Sequence, residues 1–171
     1  DLHPMKNTYS LVREKIGNSL NISGEDALGM LARKYFRSHS PATFEDFLWW
    51  SGLNVSDCQK AVEIIGDELV KETWKGREFY IHESTRTRGF RSGTVHLLAP
   101  YDEYLIGYKS RDVVLPPEHS RKAHSNNGIF QPVIALDGEI VGNWSPTSKT
   151  GCFEIFKDGL SIPEDELTNS F

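Results

Sequence analysis

The chain has 171 residues, 38% hydrophobic and 25% charged, with a net charge of −5, which is material for one sizeable core or two small ones, and its patterning favours two. No apolar run approaches the roughly eighteen residues of a membrane span and no signal-peptide pattern opens the chain, so a cytoplasmic protein without membrane partners is expected. The acidic balance argues against a protein that coats nucleic acid with basic surface. Cys58 and Cys152 fall on a predicted helix stripe and at the start of a predicted strand, so both are expected as small buried hydrophobes rather than a disulfide or a metal pair. The chain begins with Asp1 instead of Met, and excision from a longer protein is the expectation.

Pro4 can open a helix to about Ile16, followed by the loop G-N-S-L-N-I-S-G. A second helix runs from Glu25. Leu28, Leu31, Ala32, Tyr35 and Phe36 recur on one face, leaving Arg33, Lys34 and Arg37 outside it. In S-P-A-T-F-E-D-F-L-W-W-S-G-L, Thr43 caps a third helix, Asp46 complements its free N–H groups and Gly52 ends it. Asn54 and Asp57 repeat the start signal, with Val55, Cys58, Val62, Ile65 and Leu69 as a buried stripe. V-K-E-T-W and R-E-F-Y-I flank Lys75-Gly76 and read as a hairpin. A helix-turn-helix followed by a hairpin is a winged helix, and this hairpin is its wing.

E-S-T-R-T-R-G-F-R-S-G is a polar linker. A second unit then opens with the strand T-V-H-L-L-A-P and the short helix or turn Y-D-E-Y-L-I-G-Y. F-Q-P-V-I-A-L and E-I-V-G-N-W form a hairpin around Asp137-Gly138, and C-F-E-I-F-K supplies another strand. Pro132 points to an edge position or a bulge. The predicted fold is α+β, a winged helix-turn-helix followed by a small antiparallel sheet or barrel. Its divisions are an N-terminal helix and linker (1–22), the winged helix (23–84), a basic linker (85–92), the β-unit (93–160) and an acidic tail (161–171).

Charge is uneven along the chain. Lys71, Lys75, Arg77, Arg86, Arg88 and Arg91 face only Glu72, Glu78 and Glu83 over the same stretch, so the wing and linker are the candidate phosphate contacts. Gln59 and Lys60 join them from the second helix of the helix-turn-helix, although Asp57, Glu63 and Asp67 nearby would repel phosphates in a major groove. Trp49 and Trp50 are expected in the core rather than as a base-stacking platform. His119 and His124, with Arg121 and Lys122 between them, fit no metal-ligand spacing, so a solvated or phosphate-touching loop is expected and no metal. No phosphate-binding loop, dinucleotide fingerprint or nucleophile elbow occurs, and no cofactor is expected.

Three blocks, S-P-A-T-F-E-D-F-L-W-W-S-G-L, L-L-A-P-Y-D-E-Y-L-I-G-Y-K-S-R-D and N-G-I-F-Q-P-V-I-A-L-D-G-E-I-V-G-N-W, resemble the winged-helix DNA-binding proteins related to the AlkZ-type interstrand-crosslink DNA glycosylases. The resemblance implies tandem winged helices followed by a C-terminal β-barrel, of which this chain would be the last winged helix and the barrel. It implies double-stranded DNA and preceding winged-helix domains as partners. Those glycosylases are known for two glutamines separated by one apolar residue. Only Gln59 and Gln131 occur here, neither with a second glutamine two positions away, so no catalytic residue is assigned. Either a longer parent carries the pair or the parent is non-catalytic.

Asp102 and Glu103 have two readings. As neighbours they diverge, so the structural reading has one capping the turn after Pro100 and the other pairing with Lys109 or Arg111. The resemblance adds a cleft passing DNA, lined by Asp102, Glu103, Tyr104, Tyr108 and Arg111. Two functions remain: a DNA-binding module of a longer, glycosylase-like protein, or a non-catalytic interaction module that packs against other winged helices and touches no DNA.

Overall fold

A computed structural model describes residues 9–17, 22–86, 88, 89, 91–145, 152–160 and 162. Of the helix predicted from Pro4 to about Ile16, residues 4–8 lie outside them and the described part is helical only over one turn, α1 (Val12–Lys15), while nearly all of the acidic tail lies outside them. Helix α2 (Gly24–His39) starts where Ser23 accepts a hydrogen bond from the Asp26 N–H and buries Ala32, Tyr35 and Phe36. Helix α3 (Phe44–Ser51) begins with a capping box: Asp46 N–H donates to Thr43 Oγ1 at 3.1 Å and Thr43 N–H returns to the Asp46 carboxylate at 2.9 Å. Gly52 ends it at φ 66°, a left-handed conformation that suits glycine. Helix α4 (Val55–Ile64) is capped by Asn54, which accepts from Asp57 N–H.

Along α4 and just beyond it, Cys58 and Ile65 are buried as expected, with Ala61 beside them and Val62 and Leu69 packed half-buried against the same core, whereas Val55 is exposed. Val55 is the first residue of α4, directly after the Asn54 cap. The strands β1 (Leu69–Trp74) and β2 (Arg77–His82) form an antiparallel ribbon. Lys75 (φ 48°) and Gly76 (φ 74°) make its turn, the primed geometry that matches strand twist. Tyr80 N–H and carbonyl exchange bonds with Ala42, docking the ribbon on the helices. Phe36, Phe47, Cys58, Ile65 and Tyr80 belong to the core that results.

The second sheet is four-stranded and antiparallel, ordered β3 (Val95–Leu98), β4 (Val133–Leu136), β5 (Glu139–Ser145), β6 (Cys152–Ile155). It is open: β3 and β6 are edges and do not pair, so the barrel expected from the family resemblance is not closed. One face packs Val133, Ala135 and Ile140 under Leu105 of α5 (Glu103–Ile106) and Ala123 of α6 (Ser120–Ala123). The other carries Ile134 and Val141. Pro132 precedes an interior strand rather than an edge, and the irregular register falls between Ile134 and Ala135. Cys152 opens edge strand β6 and is exposed, unlike Cys58, because the strand's alternation turns it outward with Glu154 while Phe153 and Ile155 face the core. Among the described residues no helix is long and apolar enough to cross a membrane.

Candidate nucleic-acid interface

The segment Tyr101–Asp112 ties the two sheets' units together. Asp102 caps α5 by accepting from Tyr104 N–H at 2.9 Å. Glu103 does not reach Lys109 or Arg111; its carboxylate lies 3.3 Å from His39 Nε2 at the end of α2. Tyr35 donates its hydroxyl to the Gly107 carbonyl at 3.0 Å, Tyr108 to the His39 carbonyl at 2.9 Å and Tyr104 to the Gly138 carbonyl at 2.6 Å. Burial pushes the phenols of all three upward, so they remain donors.

Asp46 is the unexpected centre of this clasp. Its side chain is buried, and beyond the capping box it accepts from Lys109 N–H at 2.8 Å and Ser110 N–H at 3.3 Å. A cap at this spacing is readable from sequence; its second use, across more than sixty residues, leaves no local signal.

Of the candidate phosphate contacts, Arg77 is already engaged. It donates to both Asp112 oxygens, at 3.0 and 3.1 Å, and to Ser110 Oγ at 3.1 Å. The Ser110 hydroxyl bond and then Arg77 hold the Asp112 carboxyl below its usual range. Lys75 is exposed at the hairpin tip with its ammonium 4.3 Å from the Trp74 ring centroid. Lys71 pairs with Glu78 at 3.1 Å, and Lys60 with Glu25 at 2.5 Å. Gln59 is exposed on α4. Arg86, Arg88 and Arg91 are exposed, with no ion pair among the described residues. The linker's far end is anchored by Asp137, which accepts from Gly93 and Thr94 N–H and whose pKa these donors lower.

Trp50 packs against Tyr35 with ring centroids 4.9 Å apart, as expected of a core aromatic. Trp49 does not: it is 48% exposed, turned away by the roughly 100° that separates neighbours on a helix. Arg111 lies 5.7 Å from the Trp49 ring centroid and 4.9 Å from that of Phe130, with its Nε donating to the Leu105 carbonyl at 2.6 Å. His119 and His124 are not in an open loop; they rest on Phe156 and Phe130, each at 5.2 Å. Between the units, Pro41, Phe79, Tyr104, Tyr108, Arg111 and Val114 line a largely apolar cleft of about 210 Å³.

This fold, three helices and a hairpin clasped to an open antiparallel sheet, is that of a solved DNA-repair protein. It superposes on the Streptomyces sahachiroi DNA glycosylase AlkZ with a TM-score of 0.78 and 24% identity, covering 94% of this chain and 46% of that one. A model of the AlkZ-like DNA glycosylase family matches residues 3–158, and the chain belongs to that family. It is 29% identical over 146 residues to the interstrand DNA cross-link repair glycosylase of Streptomyces sahachiroi, covering 81% of this chain. The chain spans 39% of that relative's length.

Proposed function

We propose that this chain is a DNA-binding module, the C-terminal winged helix and β-sheet of a longer, soluble protein related to the DNA-repair glycosylases. Lys75, Arg86, Arg88 and Arg91 contact the phosphates of double-stranded DNA, assisted by Gln59, while Arg77 braces the hairpin and Lys60 is held by Glu25. The observation that carries this reading is the run of three arginines in one short linker, exposed and without an ion pair among the described residues, whereas Arg33 and Arg77 are bound bidentately to Glu68 and Asp112. Base turnover is not assigned to this stretch, which has no glutamine pair.

Fluorescence anisotropy with a labelled duplex at low and near-physiological salt tests the assignment. Binding should weaken steeply with salt, and replacing Lys75, Arg86, Arg88 and Arg91 by Ala should reduce the slope by about one per lost contact. No binding at low salt, or an unchanged slope in the variant, would reject it.

A second reading draws on a different face. Val70 and Trp74 on β1 are large exposed apolar residues, and Val113 is exposed beside them. This face favours a non-catalytic interaction module, packed against another winged helix of its parent, if the duplex is not bound.

A further inference from the structure

Arg111 differs from the other partly buried arginines among the described residues. Arg33 and Arg77 meet a carboxylate, whereas Arg111 has no ion pair among the described residues and a single hydrogen bond, from Nε to the Leu105 carbonyl. Its terminal nitrogens donate to no protein acceptor among those residues. Asp46 is the carboxylate whose field reaches it, but that group is consumed by Thr43, Lys109 and Ser110. Desolvation without a partner disfavours the cation and lowers the Arg111 pKa. A planar donor fork held in place with its outer N–H groups free is suited to an anionic oxygen, phosphate above all.

The surroundings narrow the ligand. Arg111 is flanked by Trp49 and Phe130, and Phe130 is followed by Tyr101 at 5.9 Å and His124 at 5.2 Å. Trp49 and Tyr101 are 48% and 52% exposed. A half-exposed Trp49 on one side of the guanidinium, and on the other Phe130 with the exposed Tyr101 beyond it, match a nucleotide, whose base stacks while its phosphate meets the arginine's outer N–H groups. An acidic peptide would satisfy the arginine but leave both rings in water. A base inside a duplex has its faces covered by its neighbours, so the base taken here must be unpaired.

From this geometry we propose that Trp49, Tyr101, Arg111 and Phe130 form a site for an unpaired nucleotide, separate from the linker and hairpin cations. The proposal rests on the DNA-binding reading and adds a substrate form to it.

The test compares three probes on the 171-residue chain: a thymidine octamer, a perfect duplex, and that duplex carrying one unpaired thymidine. Affinity and tryptophan fluorescence are read for the wild type, Trp49→Ala and Arg111→Lys. The unpaired probes should quench fluorescence, and Trp49→Ala should weaken them about tenfold while moving the perfect duplex less than about twofold. Arg111→Lys should lose a comparable factor, because an ammonium cannot present the planar fork. Trp49 is exposed, so its truncation leaves the fold intact, and thermal unfolding of each variant checks this. Perfect-duplex binding with no preference for the unpaired probes, or equal losses on all three, would overturn this site alone. Failure to bind any probe would overturn it together with the reading beneath it.

Discussion

Two segments join the helical unit to the sheet, and they use their charges in opposite ways. The clasp, Tyr101–Asp112, spends nearly every polar group on the fold: Asp102 on a cap, Glu103 on His39, Tyr104 and Tyr108 on carbonyls, Asp112 on Arg77. The linker from Thr85 to Arg91 leaves its arginines exposed. Surface cations are cheap to leave in water, whereas buried polar groups must find partners. A basic residue in this chain is therefore informative about ligands only after its intramolecular partners have been subtracted. Arg77 drops out on that criterion, and Arg111, within the clasp, is its exception.

The largest break in the comparison should come at Asp46. Asp46→Ala removes the acceptor for Thr43, Lys109 and Ser110 N–H groups at a buried position. Leaving those donors unpaired should cost about 3 kcal/mol, read as a lower urea midpoint. Asp46→Asn, which keeps one acceptor oxygen, should recover part of it. If Asp46→Ala unfolds at the wild-type midpoint, the clasp is not holding the units together.

Next in size is a pair of arginines. Arg77→Ala removes a bidentate ion pair with Asp112 and should cost about 1 kcal/mol of stability, the upper end for a partly exposed pair. Arg88→Ala, with no partner to lose, should leave the urea midpoint unchanged within about 0.5 kcal/mol and act on the salt dependence of duplex binding. Equal stability effects at the two positions would erase the distinction between clasp and linker.

Local signals carried the helical unit. Thr43, Gly52, Asn54 and Lys75-Gly76 each act within one turn of chain, so capping and turn chemistry located α3, α4 and the hairpin correctly. Asp137-Gly138, at φ 52° and 88°, was legible for the same reason. What stayed hidden depends on contacts distant in sequence. Neither the second use of Asp46 nor the Glu103–His39 contact has a periodicity to betray it. Trp49 and Trp50 are adjacent and identical in composition, so only the packing of α3 separates a core ring from an exposed one. Barrel closure likewise depends on whether the first and last strands meet, which the pattern within each strand does not specify. The candidate site was legible as a charge density, but its division into used and unused cations was not.

The smallest effect is the acid sensitivity of the clasp. The Asp112 carboxyl is held below its ordinary value by the Ser110 hydroxyl and by Arg77. Because the folded state has the lower pKa, this contribution is fully present above the unfolded value near 4 and is lost as pH falls through the folded value. About half of the Asp112 side chain is exposed, so solvent screening keeps the effect below about 1 kcal/mol. Urea midpoints measured from pH 6 down to pH 3 should fall less steeply in Asp112→Asn than in the wild type. Arg77→Ala should flatten the same limb in part, since the Ser110 bond remains. Asp137, anchored at the linker's end by the Gly93 and Thr94 N–H groups, titrates in the same direction, so the limb that survives in Asp112→Asn belongs partly to it. A double variant, Asp112→Asn with Asp137→Asn, separates the clasp from the linker: an acid limb no flatter than that of Asp112→Asn alone would assign the sensitivity of both segments to the clasp.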